Sequence, residues 1–248
     1  MRAETIEEVV ARLTTIIEQA KAESSRLGYF PALYRRVTLD VKQRIEGGFF
    51  DDAARTERLD VVFANRYLEA YARYRDGEPP TASWRSCFDA TDEWWPIVLE
   101  HLLLGMNAHI NLDLGIAAVE TMEGSDLSAL QDDFDRVNGV LEELTDTVYG
   151  QMQAVWPVLR ILGGSLGSVE TAILRFSMKT ARDGAWRFAE RLAEVEAGAR
   201  AAPIAARDRD VLGVAKLIRR KNAVTGTVPR LIRLGELQSV RGVIEILE

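Results

Sequence analysis

The sequence predicts an all-α fold, a single-domain bundle of helices around a central buried helix at about residues 94–123. Apolar side chains recur with the 3.6-residue period of an α-helix along most of the 248-residue chain. Residues that start and stop helices divide this pattern into segments of helical length. No run of alternating β-branched residues lies between turn signals, so no strand is predicted.

Start and stop signals set the bounds of the predicted helices. Thr5 and Glu8 form a capping box at the first helix, a Gly-Gly pair ends the second, and an aspartate caps the third. The first three helices are predicted from Thr5 to about Leu27, from Pro31 to Gly47 and Gly48, and from Asp51 or Asp52 to Asp76 and Gly77. A short segment around Trp84 follows, and then the central helix, which ends at about Gly124. The later helices are predicted from Ser125 or Asp126 to breaks near Pro157 and Gly163, from Ser168 to about Gly198, after Pro203 and after Thr227.

Length and composition predict one soluble, cytoplasmic domain over residues 1–248. With 47% hydrophobic residues the chain can bury one large core, and no Pro-, Gly- or Ser-rich linker divides it. Cys87 is the only cysteine, so no intramolecular disulfide is expected. The start lacks a signal-peptide pattern, and Glu100 and His101 interrupt the best apolar run well short of a membrane span. No transmembrane segment is therefore predicted, and a homo-oligomer is left open.

The charge is unevenly distributed along the chain. The net charge of −7 argues against general nucleic-acid binding. Residues 201–248 nevertheless carry nine Lys or Arg and five acidic residues. The basic helices predicted at 203–248 have two interpretations: a contact with phosphates, anionic lipid or the acidic body of the protein, or a solvated helix face.

The segment 100–113 contains both histidines of the chain, together with two asparagines and two acids in an otherwise apolar stretch. At 100° per residue the polar side chains fall on two faces of the helix: Glu100, Asn107 and Asn111 on one, and His109, Asp113 and His101 on the other. A surface helix gathers its polar groups on one side, so this pattern predicts a central helix surrounded by protein. The alternative is that these side chains satisfy backbone groups of neighbouring helices.

His109 and Asp113 have the i, i+4 spacing at which two side chains on adjacent turns can bind one metal ion. An imidazole with a carboxylate suits iron, zinc or manganese. His101 lies eight residues earlier, an axial separation of about 12 Å in a straight helix. A kink at Gly105, or a second helical segment capped by Asn107, would bring it closer. Because the chain has no third histidine, any metal here must take its other ligands mainly from carboxylates.

Partners for this helix are expected from three other segments. Asp60 lies on one stripe with Phe63 and Tyr67, a pattern that fits either a site or an acid that caps a helix or forms a salt bridge at the edge of an ordinary core face. Asn138 borders the apolar face of its helix and can reach the asparagines of the central helix.

Arg182 and Trp186 share a face of a later helix. They could bind a substrate anion and pack against its apolar part. A structural ion pair of Arg182 with an aspartate is equally consistent with the sequence.

At three of these segments the chain resembles an uncharacterised bacterial family, a domain of unknown function, over roughly residues 30–200. The recurring motifs are Leu-Asp-x-x-Phe-Ala, Leu-Leu-Gly-Met-Asn-Ala-His-Ile-Asn-x-Asp-Leu and Arg-x-x-Ala-Trp. Here they occupy residues 59–64, 103–114 and 182–186. The resemblance implies that the three segments belong to one unit, and it implies no activity.

The leading hypothesis is a metal-dependent hydrolase or oxygenase acting on a small apolar substrate in a central polar cavity. The expected catalytic residues are His109, Asp113 and Asp60, with His101 as a further metal ligand and iron, zinc or manganese as the metal. The expected substrate-binding residues are Asn107, Asn111, Asn138, Tyr67, Arg182 and Trp186. Without a metal, His109 oriented by Asp113 would serve as a general base. The alternative is a non-catalytic module that binds a hydrophobic ligand or a protein partner.

Overall fold

The computed structural model describes residues 2–137, 140, 178–219 and 238–248. Within these ranges the chain is helical and forms no β-strand, which confirms the all-α prediction. The α-helices with both bounds described are α1 (Ile6–Glu23), α2 (Tyr29–Glu46), α3 (Ala53–Arg75), α4 (Ala82–Asp89), α5 (Val98–Ala108), α6 (Leu114–Thr121), α7 (Met178–Ala193), α8 (Ala201–Ile218) and α9 (Val240–Leu247). Residues 131–137 are helical as well. The predicted breaks near Pro157 and Gly163 and the helix start at Thr227 lie outside the described residues.

Local capping explains where the first helices begin and end. The Thr5 side chain accepts a hydrogen bond from the backbone N–H of Glu8 (3.2 Å), and Asp52 caps α3 by accepting from the N–H of Arg55 (2.9 Å). Helix α1 ends at Glu23, and the next residue, Ser24, adopts the left-handed conformation with φ 51°. A 3-10 turn at Arg26–Gly28 follows, so α1 stops short of the predicted Leu27.

The central helix, as we name Val98–Thr121, consists of α5, a π-helical turn at His109–Asp113 and α6. It is long and apolar enough to cross a membrane, but 89% of its most apolar 18-residue window is buried inside the protein. The backbone stays helical through Gly105 and Asn107, and His109 has φ −66° and ψ −53°. The helix therefore continues unbroken through Gly105 and does not restart at Asn107.

Two glycines allow other helices to approach the central helix closely. A Cβ atom on Gly105 would lie 2.3 Å from the Phe30 ring of α2, and one on Gly115 would lie 2.7 Å from the carbonyl oxygen of Ala185 in α7. Both distances are far below carbon contact distance, so these positions need glycine. Helices α2 and α7 are thereby fixed against the central helix, with α3 and α8 also packed on it.

Asp208 of α8 joins that helix to the start of α4. Its carboxylate accepts hydrogen bonds from the backbone N–H groups of Ala82 (2.7 Å) and Ser83 (3.0 Å), and from the Ser83 hydroxyl (2.6 Å). The carboxylate thus caps α4 from a distant part of the sequence, which satisfies donors that a helix start otherwise leaves unpaired.

We expect Asp208→Ala to lower the free energy of unfolding by about 1–2 kcal/mol, the usual cost of losing a helix cap. Urea denaturation measures this change. Asp210→Ala is the matched control, because Asp210 lies on the same helix but is exposed. An equal loss in both variants would show that the cap at α4 contributes nothing specific.

Candidate functional site

A cavity of about 80 Å³ lies between α2, α3, the central helix and α7. Nearly all of its accessible wall is carbon. Five of the described residues that line it carry polar side chains: Tyr34, Thr56, Asp60, His109 and Arg182. The cavity therefore brings together Asp60, His109 and Arg182, one from each of the three motif segments.

His109 lies at the start of the π-helical turn and is held by aromatic rings. The Phe63 ring stacks parallel to the imidazole, with ring centres 3.5 Å apart, and the Tyr34 ring meets it edge-on at 4.5 Å. Burial lowers the pKa of His109, although its neighbour Asp113 opposes this effect. The imidazole is therefore favoured in its neutral form, which can accept and donate one hydrogen bond each.

Asp113 anchors this part of the central helix instead of lining the cavity. Its Oδ1 accepts a hydrogen bond from Arg66 Nε (3.2 Å), and its Oδ2 accepts one from the Trp84 indole N–H (2.7 Å). His109 Nδ1 lies 3.6 Å from the same Oδ2, beyond hydrogen-bond length but close enough for a charge to orient the ring. Asp113 thus acts on the cavity through His109.

Asp60 is a buried carboxyl in the wall of the cavity, one helical turn before Phe63. Burial, reinforced by the negative charge of Glu57, raises the pKa of Asp60 to about 7. Tyr34 faces it from α2, and the pKa of that hydroxyl is raised well above its ordinary value by burial and by the charges of Asp60 and Asp113. Near neutral pH, Asp60 can therefore hold or release a proton.

The polar atoms behind the cavity wall share one property. They are buried and make no hydrogen bond within the described part of the chain: Tyr34 Oη, Thr56 Oγ1, Asp60 Oδ2, His109 Nε2 and Arg182 Nε. A buried polar group without a hydrogen bond costs about 1–3 kcal/mol. These atoms place hydrogen-bonding groups of both polarities directly behind the carbon-lined wall of the cavity.

Arg182 of α7 is only 2% exposed. Its Nη2 donates to the carbonyl oxygen of Phe134 at 3.4 Å, and its guanidinium lies over the Phe134 ring at 5.4 Å. Burial lowers the pKa of Arg182 to about 9, and Asp135 opposes this effect. The Trp186 ring packs against the same Phe134 ring, with ring centres 4.9 Å apart, and its indole N–H donates to Glu190. Trp186 is not among the residues that line the cavity.

Asn107 and Asn111, which were predicted to bind substrate, connect the central helix to α8. The Asn107 amide donates to the carbonyl oxygen of Val211 in α8 (3.0 Å), and the Asn111 amide donates to Asn107 (3.0 Å). Arg207 of α8 donates in turn to the Asn111 carbonyl oxygen (2.8 Å). This stripe joins the central helix to α8, and neither asparagine is among the cavity-lining residues. Asn138 lies outside the described residues.

Tyr67 and His101 are also buried away from the cavity wall. The Tyr67 ring packs against Phe30 at 5.1 Å and Trp84 at 5.2 Å. His101 meets the ring of Tyr29 edge-on at 5.6 Å. The structure therefore does not bring His101 to the His109 site.

In residues 2–137, 140, 178–219 and 238–248, no three His, Cys, Asp or Glu side chains are grouped so that they could hold a metal ion. Both carboxylate oxygens of Asp113 are instead engaged by Arg66 and Trp84. The expected iron, zinc or manganese at His109, Asp113, Asp60 and His101 stays a prediction.

Several residues of the site carry no local sequence signal. Arg66 and Trp84 lie 47 and 29 positions from Asp113, so only the fold reveals that they bind it. Tyr34 could have been found, because its i, i+4 spacing from Phe30 marks an aromatic face on α2. Thr56 lies one turn before Asp60 on the same stripe.

Comparison with known proteins gives a family but no activity. The model of a family of unknown function, DUF5995, matches residues 6–221, which include all three motif segments. The match is wider than the region of about 30–200 that the motifs indicated. No curated protein and no solved structure matches the chain. The chain belongs to the family of unknown function DUF5995.

Proposed function

We propose that the protein binds a small, largely apolar molecule in the cavity between α2, α3, α7 and the central helix. One observation carries this proposal: a cavity with a carbon wall is bordered by five buried polar side chains, each of which has an atom that makes no hydrogen bond within the described chain. Small-molecule sites commonly combine an apolar wall with a few polar groups that fix orientation. Asp60 and His109 would supply those groups at the centre.

The size of the cavity limits the ligand. An engineered apolar cavity of about 150 Å³ binds benzene or xenon. The volume of about 80 Å³ is roughly half of that and suits a ligand of a few heavy atoms. A larger ligand would have to displace side chains of the wall.

Acid–base catalysis on the bound molecule is a second candidate function. It is favoured by the position of Asp60, whose pKa of about 7 is suited to proton transfer at neutral pH. The neutral His109, oriented by the charge of Asp113, would be the partner group. A metal in this cavity would draw on the same two side chains and would need further ligands.

We expect xenon under pressure to shift the methyl resonances of Met106 and Met178 in protein labelled with ¹³C at methionine methyl groups. Both residues line the cavity. Met122 is buried outside it and is the internal control. Val41→Phe, which puts a larger side chain into the wall, should suppress both shifts at an overpacking cost of about 1–3 kcal/mol. Equal shifts at all three methionines, or none at Met106 and Met178, would overturn the proposal.

A further inference from the structure

Arg182 is the one described cavity-lining residue with a permanent positive charge, and its position is costly. It is 98% buried, and burial of a guanidinium without a counter-charge is strongly unfavourable. Its hydrogen bond to the Phe134 carbonyl is long, at 3.4 Å, and its Nε makes none within the described chain. The Phe134 ring lies beneath the guanidinium, with its centre 5.4 Å from the guanidinium carbon.

Among the residues that the structure describes, no acidic side chain neutralises Arg182 by direct contact. Within these ranges no carboxylate forms an ion pair with it, and the acid that acts on it electrostatically is Asp135, which is exposed to solvent. Asp60 lines the same cavity, but neither its Oδ2 nor Arg182 Nε makes a hydrogen bond within the described chain. Within the described chain, the cavity thus presents an unmatched cation in one part of its wall and, in another part, the neutral His109 beside Asp60, a carboxyl that gains or loses its proton near neutral pH.

We infer that the ligand is a small apolar carboxylic acid, whose carboxylate binds the Arg182 guanidinium while its carbon chain fills the cavity. This rests on the proposed function. A carboxylate matches the planar donor fork of arginine and forms charge-assisted hydrogen bonds with it. One cation balances one negative charge, whereas a phosphate dianion would bring a second charge into a carbon-lined wall. The small volume of the cavity favours an acid with a short carbon chain.

Three compounds with the same four-carbon chain, one charged and two uncharged, test this inference. Butyrate, butyramide and 1-butanol would be titrated at pH 7 into the full-length protein, with the Met106 and Met178 methyl resonances as the readout. We expect butyrate to bind at least 10-fold more tightly than butyramide. We expect Arg182→Met to remove this preference by weakening butyrate at least 10-fold and butyramide by less than about 3-fold.

Two further variants separate charge from structure. Arg187→Met removes the same charge from an exposed position of the same helix and should leave the preference unchanged. Arg182→Lys keeps the charge and should keep part of the preference. If Arg182→Met does not fold, the comparison of butyrate with butyramide in the wild-type protein still tests the preference for a carboxylate.

The outcomes distinguish this inference from the proposal beneath it. Binding of butyramide and 1-butanol as tightly as butyrate would overturn the carboxylate assignment and leave the apolar-ligand function intact. Failure of all three compounds and of xenon to shift Met106 and Met178 would instead overturn the proposed function itself.

Discussion

We expect Asp113→Asn to lower the free energy of unfolding by about 3–5 kcal/mol, the usual cost of removing one partner of a buried ion pair. Asp113 is 1% exposed, and both of its oxygens accept from donors, Arg66 and the Trp84 indole. An asparagine has one oxygen, so its amide N–H₂ would face one of these donors. Urea denaturation at pH 7 measures the loss.

Glu120→Gln is the matched control for this variant. Glu120 contacts the same guanidinium, at 3.4 Å from Arg66 Nη1, but its side chain is 38% exposed. Exposed ion pairs contribute about 0–1 kcal/mol, so we expect little change. Similar losses in Asp113→Asn and Glu120→Gln would mean that Asp113 is not the buried anchor of the central helix.

The same substitution has a second expected result at His109. Asp113 is the neighbour that raises the pKa of this imidazole against the effect of burial. Without its charge, the pKa of His109 should fall further, and the imidazole should stay neutral to a lower pH. A ¹⁵N NMR titration of the histidine measures this. A rise of the His109 pKa would contradict the orienting role given to Asp113.

Sequence reasoning predicted the features that depend on the helical periodicity of apolar residues and on local capping signals. The central helix, its burial and the caps at Thr5 and Asp52 follow from local patterns, and the structure confirms the all-α fold. The three motif segments also meet in one cavity, as the polar residues Asp60, His109 and Arg182 show.

Sequence reasoning could not assign the polar residues to their neighbours. The stripe of Asn107 and Asn111 has the same spacing whether it faces a ligand or another helix, and here it binds α8. The i, i+4 spacing of His109 and Asp113 indicated a shared metal, but distant Arg66 and Trp84 engage the carboxylate. Such pairings depend on how helices pack, which no local pattern contains.

We expect Asp60→Asn to stabilise the protein at pH 8 by up to about 4 kcal/mol and to leave stability almost unchanged near pH 4. The folded-state pKa of Asp60, about 7, lies above the ordinary value of 3.8. The folded protein therefore holds a proton that the unfolded chain releases between about pH 4 and 7, so wild-type stability falls as pH rises through this window and is flat above it. Asparagine stays neutral and removes this loss. Urea denaturation from pH 4 to 8 measures it.

Asp133→Asn is the control of opposite sign. Burial alone would raise the pKa of Asp133, but it is lowered because the carboxylate accepts hydrogen bonds from the N–H groups of Asp51 and Asp52 and from Arg55. Its contribution is present above its ordinary pKa and is lost as pH falls, so Asp133→Asn should destabilise most at pH 8. A pH-independent difference between wild type and Asp60→Asn would show that Asp60 titrates normally. The acid–base function would then lose its support, because it rests on a pKa of Asp60 close to neutral pH.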